Sequence, residues 1–262
     1  MILDRFRLDG RVAIVSAAGR GIGAAIARAF AEVGADVVIG ARTRDQLDEV
    51  AEAVSGCGRR AEAIAGDLSQ RDGMAALVDR AVESFGRVDV VVNNAGGSMP
   101  GPFMSTTDKA FEEALHWNVT TAFNLTQLAV PHLLKVEGGS VINIASSAGR
   151  FAARGFAGYG TAKAAMIHLT KNLALDLAPR IRVNAIAPGA TVTSALDIVL
   201  QNEQIRDAMV SNTPLRRLGE VEDIAAAAVY LASAAGSYVT GRVIDVDGGV
   251  RASNLDMGIQ DL

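Results

Sequence analysis

The sequence predicts a single α/β domain: a doubly wound, seven-stranded parallel sheet with helices on both faces. Three observations predict it. Short β-branched runs alternate with longer alanine-rich segments along the whole chain. Those runs are apolar nearly throughout, as strands are when a parallel sheet is buried on both sides. A glycine-rich stretch, Ser16–Gly23, joins the first run to the first long segment. Strand then helix, repeated, gives right-handed crossovers and a parallel sheet.

The strand candidates in order are Val12–Val15, Asp36–Ile39, Ala61–Ala65, Val88–Val92, Ser140–Ile144, Arg182–Ile186 and Val243–Val246. The helical segments between and after them are Ile22–Val33, Arg44–Val54, Gly73–Phe85, Asp108–Lys135, Tyr159–Leu177 and Val221–Ala234. Two stretches read as irregular. One is Gly96–Thr107, which carries two prolines. The other is the segment 190–218, with a helical piece at Leu196–Val210 ending near Pro214. Both leave strands at their carboxyl ends, where open α/β sheets bind ligands. The second is the candidate substrate loop, and 251–262 is a C-terminal tail. No repeat, linker or low-complexity tract divides residues 1–262, so one domain is expected.

Composition narrows the function. The chain has 262 residues, half of them hydrophobic, and a formal net charge of -4. That fits one large core, and mild acidity gives no reason to expect nucleic acid or an anionic membrane as partner. A single cysteine, Cys57, excludes an internal disulfide and a thiolate cluster. His116, His132 and His168 lie in no ligand spacing, so no metal site is expected. The N-terminus lacks a secretory pattern, and no apolar run is long enough to span a bilayer. A cytoplasmic protein is the expectation.

In Ser16-Ala17-Ala18-Gly19-Arg20-Gly21-Ile22-Gly23 the three glycines permit a tight turn and close approach to a ligand. The helix start then offers free N–H groups and a positive dipole end to a pyrophosphate. A carboxylate about 20 residues further on usually binds an unmodified adenosine ribose. Here that stretch reads Gly40-Ala41-Arg42-Thr43-Arg44, with no acid. Arg42, joined by Arg20, suits a 2′-phosphate, which predicts NADP over NAD.

Tyr159 and Lys163 stand four apart, on one face if their segment is helical. Ser146 lies thirteen residues before the tyrosine. A lysine ammonium beside the phenol is expected to lower its pKa from roughly 10. Such a tyrosine can exchange a proton with a substrate oxygen, which a serine hydroxyl could hold. The trio predicts proton transfer at a carbonyl or alcohol.

With these pieces in order, the chain resembles the short-chain dehydrogenase/reductase family from about Leu8 to Val250. The glycine loop resembles the family's Thr-Gly-x-x-x-Gly-Ile-Gly. Asp67, before Leu68, matches the acid that contacts the adenine. Asn93-Asn94-Ala95-Gly96 matches the segment closing the fourth strand beside the cofactor. Asn118 matches the helix asparagine of a proton relay. Ser146, Tyr159 and Lys163 match the family's active site. Pro188-Gly189 followed by Thr193 matches the segment that holds the nicotinamide carboxamide, and Asp247-Gly248-Gly249 the end of the last strand.

The resemblance implies a Rossmann fold and hydride transfer between a nicotinamide and a carbonyl carbon. Its cofactor contacts would be Ser16, Gly19, Arg20, Gly21, Ile22, Gly23, Arg42, Asp67, Leu68, Asn94, Ala95, Gly96, Tyr159, Lys163, Pro188, Gly189, Thr191 and Thr193. Asn118, Ser146, Tyr159 and Lys163 would be catalytic. Three positions depart from the pattern: Ala17 replaces the first glycine and Ser16 the threonine, with cofactor binding expected to survive, and Thr191 stands where a branched aliphatic is usual, its backbone being the expected contact. The four-residue Tyr159/Lys163 spacing argues for carbonyl chemistry rather than enoyl reduction. Met99, Phe103, Phe151, Phe156 and Leu196 are candidates for an apolar pocket suited to a 3-oxoacyl thioester, a steroid or a similar ketone. They are equally candidates for ordinary core. The family also implies a homotetramer packed through the helices Asp108–Lys135 and Tyr159–Leu177. The competing reading is a non-catalytic nucleotide-binding regulator or scaffold on the same fold, against which the complete set Asn118, Ser146, Tyr159 and Lys163 argues.

Overall fold

The computed structural model describes residues 1–194, 196, 201–255 and 258–259. Its seven strands are β1 (Val12–Ser16), β2 (Asp36–Ala41), β3 (Ala61–Ala65), β4 (Val90–Asn93), β5 (Gly139–Ile144), β6 (Ile181–Pro188) and β7 (Val243–Val246). Every pairing is parallel, and the spatial order is β3-β2-β1-β4-β5-β6-β7. The order reverses between β1 and β4, which makes the crevice beyond their carboxyl ends the expected ligand site.

The helices are α1 (Gly21–Glu32), α2 (Arg44–Gly56), α3 (Arg71–Phe85), α4 (Asp108–Leu115), α5 (Thr121–Leu133), α6 (Ala157–Leu177), α7 (Glu203–Ser211) and α8 (Val221–Ala232). Alternate residues of β1 face opposite layers. Ala13 and Val15 pack with α1, α2 and α8, while Val12 and Ile14 pack with α3, α5 and α6. Inner strands β1, β4 and β5 are buried throughout, whereas β3 and β7 at the sheet edges are only half-buried. The edge strands therefore miss the two-sided burial that their apolar runs suggested, because each has a neighbour on one side only.

The helix expected as one piece from Asp108 to Lys135 is divided. A π-helical turn, His116–Thr120, separates α4 from α5. The physical cause lies at Asn118. Ala114 O is the acceptor that an α-helix reserves for the N–H of residue 118, and here it accepts a hydrogen bond from Asn118 Nδ2 at 2.8 Å. Side chains that compete for backbone partners in this way disturb regular helix, and such π turns recur at functional sites. Helix α6 begins at Ala157 rather than Tyr159, so the tyrosine sits inside the first turn. Part of the helical piece expected at Leu196–Val210 falls outside the described residues; the described part is α7.

Four site-bearing elements are cross-linked behind the crevice. Asn93 Nδ2 donates to Asn143 Oδ1 at 2.7 Å and to Thr126 Oγ1 at 2.9 Å, and Asn143 Nδ2 donates to Thr170 Oγ1 at 2.8 Å. All four residues are buried. This network ties β4, β5, α5 and α6 together, although Asn93 Oδ1 is buried within it without a partner, and buried polar networks of this kind specify one arrangement of a core.

Candidate active site

The switch point is stitched across β1 and β4. Ser16 Oγ accepts from the N–H groups of Asn94 and Ala95 at 3.0 and 3.1 Å. Asn94 Nδ2 donates back to the carbonyls of Ser16 and Ala17 at 3.2 and 3.0 Å. Between these contacts the chain turns at Ala17, whose φ of 52° lies in the left-handed region. A non-glycine residue there costs roughly 1–2 kcal/mol. The departure from the glycine pattern is thus a strained position, tolerated because alanine is small.

The glycine loop has the form of a phosphate cradle. Gly21 has φ of 58°. A Cβ on Gly23 would lie 2.5 Å from Asn94 Nδ2 and 2.6 Å from the Ala17 carbonyl oxygen. No side chain caps the first turn of α1 at Arg20, which leaves its N–H groups and dipole end for an anion. Residues present here therefore fit a dinucleotide pyrophosphate. Ile22 follows Gly21 in the first turn of α1 and is half-buried. Leu68 and Ala95 are buried in the core beneath the crevice.

Arg20 and Arg42 are exposed at the rim. The carboxylate of Asp67 is held below its usual range, chiefly by hydrogen bonding to Ser69, with the Arg42 charge as a smaller contribution. Arg42 and Asp67 thus share one end of the crevice. Sequence reasoning missed Gln46, whose Oε1 would stand 3.1 Å from a Cβ on Gly19. Its place in the first turn of α2, directly after the loop that carries Arg42, was the available signal.

The loop after β6 closes the other end. A Cβ on Gly21 would lie 3.5 Å from Thr193 Cγ2, so the two segments face each other. A Cβ on Gly189, following Pro188, would lie 2.7 Å from Asp247 Cα. Thr191 is buried, donates to the Gly189 carbonyl at 3.1 Å and bridges to Gly219. That bridge pins the two ends of the candidate substrate loop.

Ser146, Tyr159 and Lys163 do converge. Ser146 lies two residues beyond the end of β5 and caps a short 3-10 turn, Ser147–Gly149, by accepting from Ala148 N at 3.1 Å. Helix α6 lies close against this turn: a Cβ on Gly149 would stand 2.7 Å from Lys163 C, and one on Gly160 3.0 Å from Ala148 O. Only glycine permits that approach. Lys163 is buried, its Nζ lies 5.7 Å from the centre of the Tyr159 ring, and it donates to Ile144 O at 2.8 Å.

The electrostatics correct one expectation. The Tyr159 phenol is pushed up rather than down; burial raises its pKa and hydrogen bonding with Ser146 opposes the rise. Lys163 is itself lowered to about 8 by burial. Desolvation of the ionised forms outweighs the mutual attraction that residue types alone suggested.

Asn118 is fully buried. Its Nδ2 donates to Gly97 O at 3.1 Å and its Oδ1 accepts from Gly97 N at 2.9 Å. Gly97 is a partner the motif reading missed. A Cβ on Gly96 would stand 2.6 Å from Asn118 Oδ1 and 2.9 Å from Lys163 Nζ, so the two residues flank Gly96. Of the expected apolar lining, Phe156 faces Tyr159 with ring centres 6.1 Å apart, Phe151 and Leu196 are half-buried, and Met99 and Phe103 are largely exposed. Among the described residues no cluster of His, Cys, Asp and Glu could hold a metal, and no helix is long and apolar enough to cross a membrane.

Comparison with known proteins agrees with this geometry. Residues 16–251 match the family model described as enoyl-(acyl carrier protein) reductase. An uncharacterized oxidoreductase of Mycobacterium tuberculosis is 57% identical over 100% of both chains. A solved structure of 7α-hydroxysteroid dehydrogenase, complexed with NADH and 7-oxo glycochenodeoxycholic acid, is similar with a TM-score of 0.93 and 41% identity, over 97% of this chain and 99% of that one. A gluconate 5-dehydrogenase from Burkholderia cenocepacia, in complex with NADP and tartrate, follows at TM-score 0.89 and 33% identity, over 95% and 98%. Fold, crevice and side-chain trio lead to one conclusion: the chain belongs to the short-chain dehydrogenase/reductase family, as an oxidoreductase of hydroxyl and keto groups that uses a nicotinamide dinucleotide.

Proposed function

We propose that the protein is an NADP(H)-dependent oxidoreductase interconverting a hydrophobic ketone and its secondary alcohol. The observation that carries the reading is the junction of Ser146, Tyr159 and Lys163 beneath Gly96. The cofactor supplies a hydride in the reducing direction and accepts one in the other. During reduction Tyr159, kept neutral by its raised pKa, gives its phenolic proton to the substrate oxygen. Ser146 donates a hydrogen bond to the same oxygen. Stabilising a developing alkoxide with such pre-placed donors contributes several kcal/mol in comparable sites. Lys163, its pKa lowered to about 8, returns the proton to Tyr159, and Asn118 orders the path from Lys163 towards solvent.

Arg42 and Arg20 support the phosphorylated cofactor, since neither makes an ion pair among the described residues and no acid stands at the end of β2. Exposed Met99, Phe103 and Met104 beside the crevice support an apolar substrate. Phe111, Phe123 and Leu175, exposed on α4, α5 and α6, support a homotetramer; light scattering tests it, and a monomer contradicts it. The function is tested with a panel of ketones and alcohols, following the absorbance of reduced nicotinamide. Turnover with NADPH is expected; a protein that binds NADPH yet oxidises it with no carbonyl compound sinks the reading.

A further inference from the structure

A short chain of hydrogen bonds connects the adenosine end of the crevice to the turn that carries Asn118. The loop between β3 and α3 holds Asp67, the expected adenine contact. The Asp67 carboxylate accepts from Ser69 N at 2.9 Å. The Ser69 carbonyl oxygen in turn lies 2.8 Å from His116 Nε2. A carbonyl only accepts, so Nε2 carries the proton and His116 donates. His116 opens the π turn, and its own carbonyl accepts from Thr121 N, the bond that closes this turn around Asn118. One residue therefore holds the adenine loop with its ring and the Asn118 turn with its backbone.

The same loop is braced a second time. Arg71, the first residue of α3, donates from Nη1 to Asn124 Oδ1 and from Nη2 to Gln127 Oε1, both at 2.8 Å. Asn124 and Gln127 stand three residues apart on one face of α5. The segment from Asp67 to Arg71 is thus fixed against the π turn and against the helix that follows it. Beyond the turn, Asn118 grips Gly97 and flanks Gly96 together with Lys163. A continuous path leads from Asp67 through Ser69 and His116 to Asn118. His116 is exposed, so its contribution lies in this bond rather than in core packing, and replacing it leaves the core intact.

We propose that His116 is a positioning residue, whose bond to Ser69 couples filling of the adenosine end of the crevice to the placement of Asn118 for turnover. The inference rests on the oxidoreductase reading above and deepens it. The net worth of a single hydrogen bond sets the coupling at roughly 2- to 12-fold.

The test compares the intact protein with His116→Leu, which cannot donate, and His116→Gln, whose amide donates at similar reach. With the fastest ketone of the panel, kcat is measured with NADPH and with reduced nicotinamide mononucleotide, which lacks the adenosine half. In His116→Leu the ratio of the two kcat values should fall about fivefold, and in His116→Gln it should stay close to that of the intact protein. Equal losses with both cofactors, or an unchanged ratio, overturn the proposal. Hydrogen exchange at the Thr121 amide needs no turnover. Adenosine 2′,5′-bisphosphate or adenosine 5′-monophosphate should slow it in the intact protein and in His116→Gln but not in His116→Leu. No slowing by either probe in the intact protein, or equal slowing in all three proteins, overturns the proposal. If no ketone is turned over, the carbonyl-reductase reading fails while the exchange measurement still decides the role of His116.

Discussion

Lys163 donates its ammonium to the carbonyl oxygen of Ile144 at 2.8 Å. The buried cation is thus held by a neutral backbone group rather than by a carboxylate, and burial lowers its pKa to about 8.

A basic group with a lowered folded pKa opposes folding while it stays protonated. The cost is fully present below about pH 8 and is relieved as pH rises towards the unfolded value of 10.5. Stability should therefore rise between pH 8 and 10, by about 3 kcal/mol at most. Tyr159 acts oppositely, because its raised folded pKa makes stability fall once pH exceeds the ordinary phenol value. Urea midpoints of the wild type and Lys163→Met across this window check the claim. A wild-type curve parallel to that of the variant contradicts it.

Gly96→Ala should cripple turnover. The new methyl would meet Asn118 Oδ1 at 2.6 Å and Lys163 Nζ at 2.9 Å. The Asn118 amide is held by three hydrogen bonds, so Lys163 is the group that gives way. Overpacking of this kind costs about 1–3 kcal/mol, and displacement of the lysine should lower kcat at least tenfold. Steady-state kinetics together with thermal melting separate the two effects.

At position 17 the order of stability should be glycine at or above alanine, with valine far below. Alanine at φ of 52° carries strain that glycine removes, offset by up to about 1 kcal/mol of unfolded-state entropy. A β-branched residue is a severe outlier at this φ. Thermal melts of Ala17→Gly and Ala17→Val check the order; an Ala17→Val variant as stable as wild type contradicts it.

Arg42→Asp should reverse cofactor choice. The substitution removes a guanidinium from the end of β2 and places a carboxylate where an unmodified ribose is usually bound. NADP affinity should fall at least tenfold while NAD affinity holds or rises. Calorimetric titration of both cofactors is the measurement, and an unchanged affinity ratio tells against the role of Arg42.

Much of this was legible without coordinates. The strand order in sequence, the glycine cradle and the Tyr159/Lys163 pair depend on patterns within a few residues. Strand limits shifted by only a residue or two, as at β4, where Asn93 rather than Val92 ends the strand. The long helix through Asn118 was misread because nothing local marks the π turn. Its cause is a side chain bonded to Gly97 and to Ala114 O.

Local chemistry along the chain fixes the architecture and brings the candidate reacting groups to notice, since strand burial, crossover handedness and i,i+4 spacing follow from it. Tertiary structure alone decided how those groups behave. It brought Ser146 to Tyr159 through the glycine contacts of α6, set Lys163 and Asn118 on either side of Gly96, and carried His116 to Ser69. It also reversed the expected direction of the Tyr159 pKa, because desolvation depends on the surroundings a group is folded into and not on its neighbour in the chain.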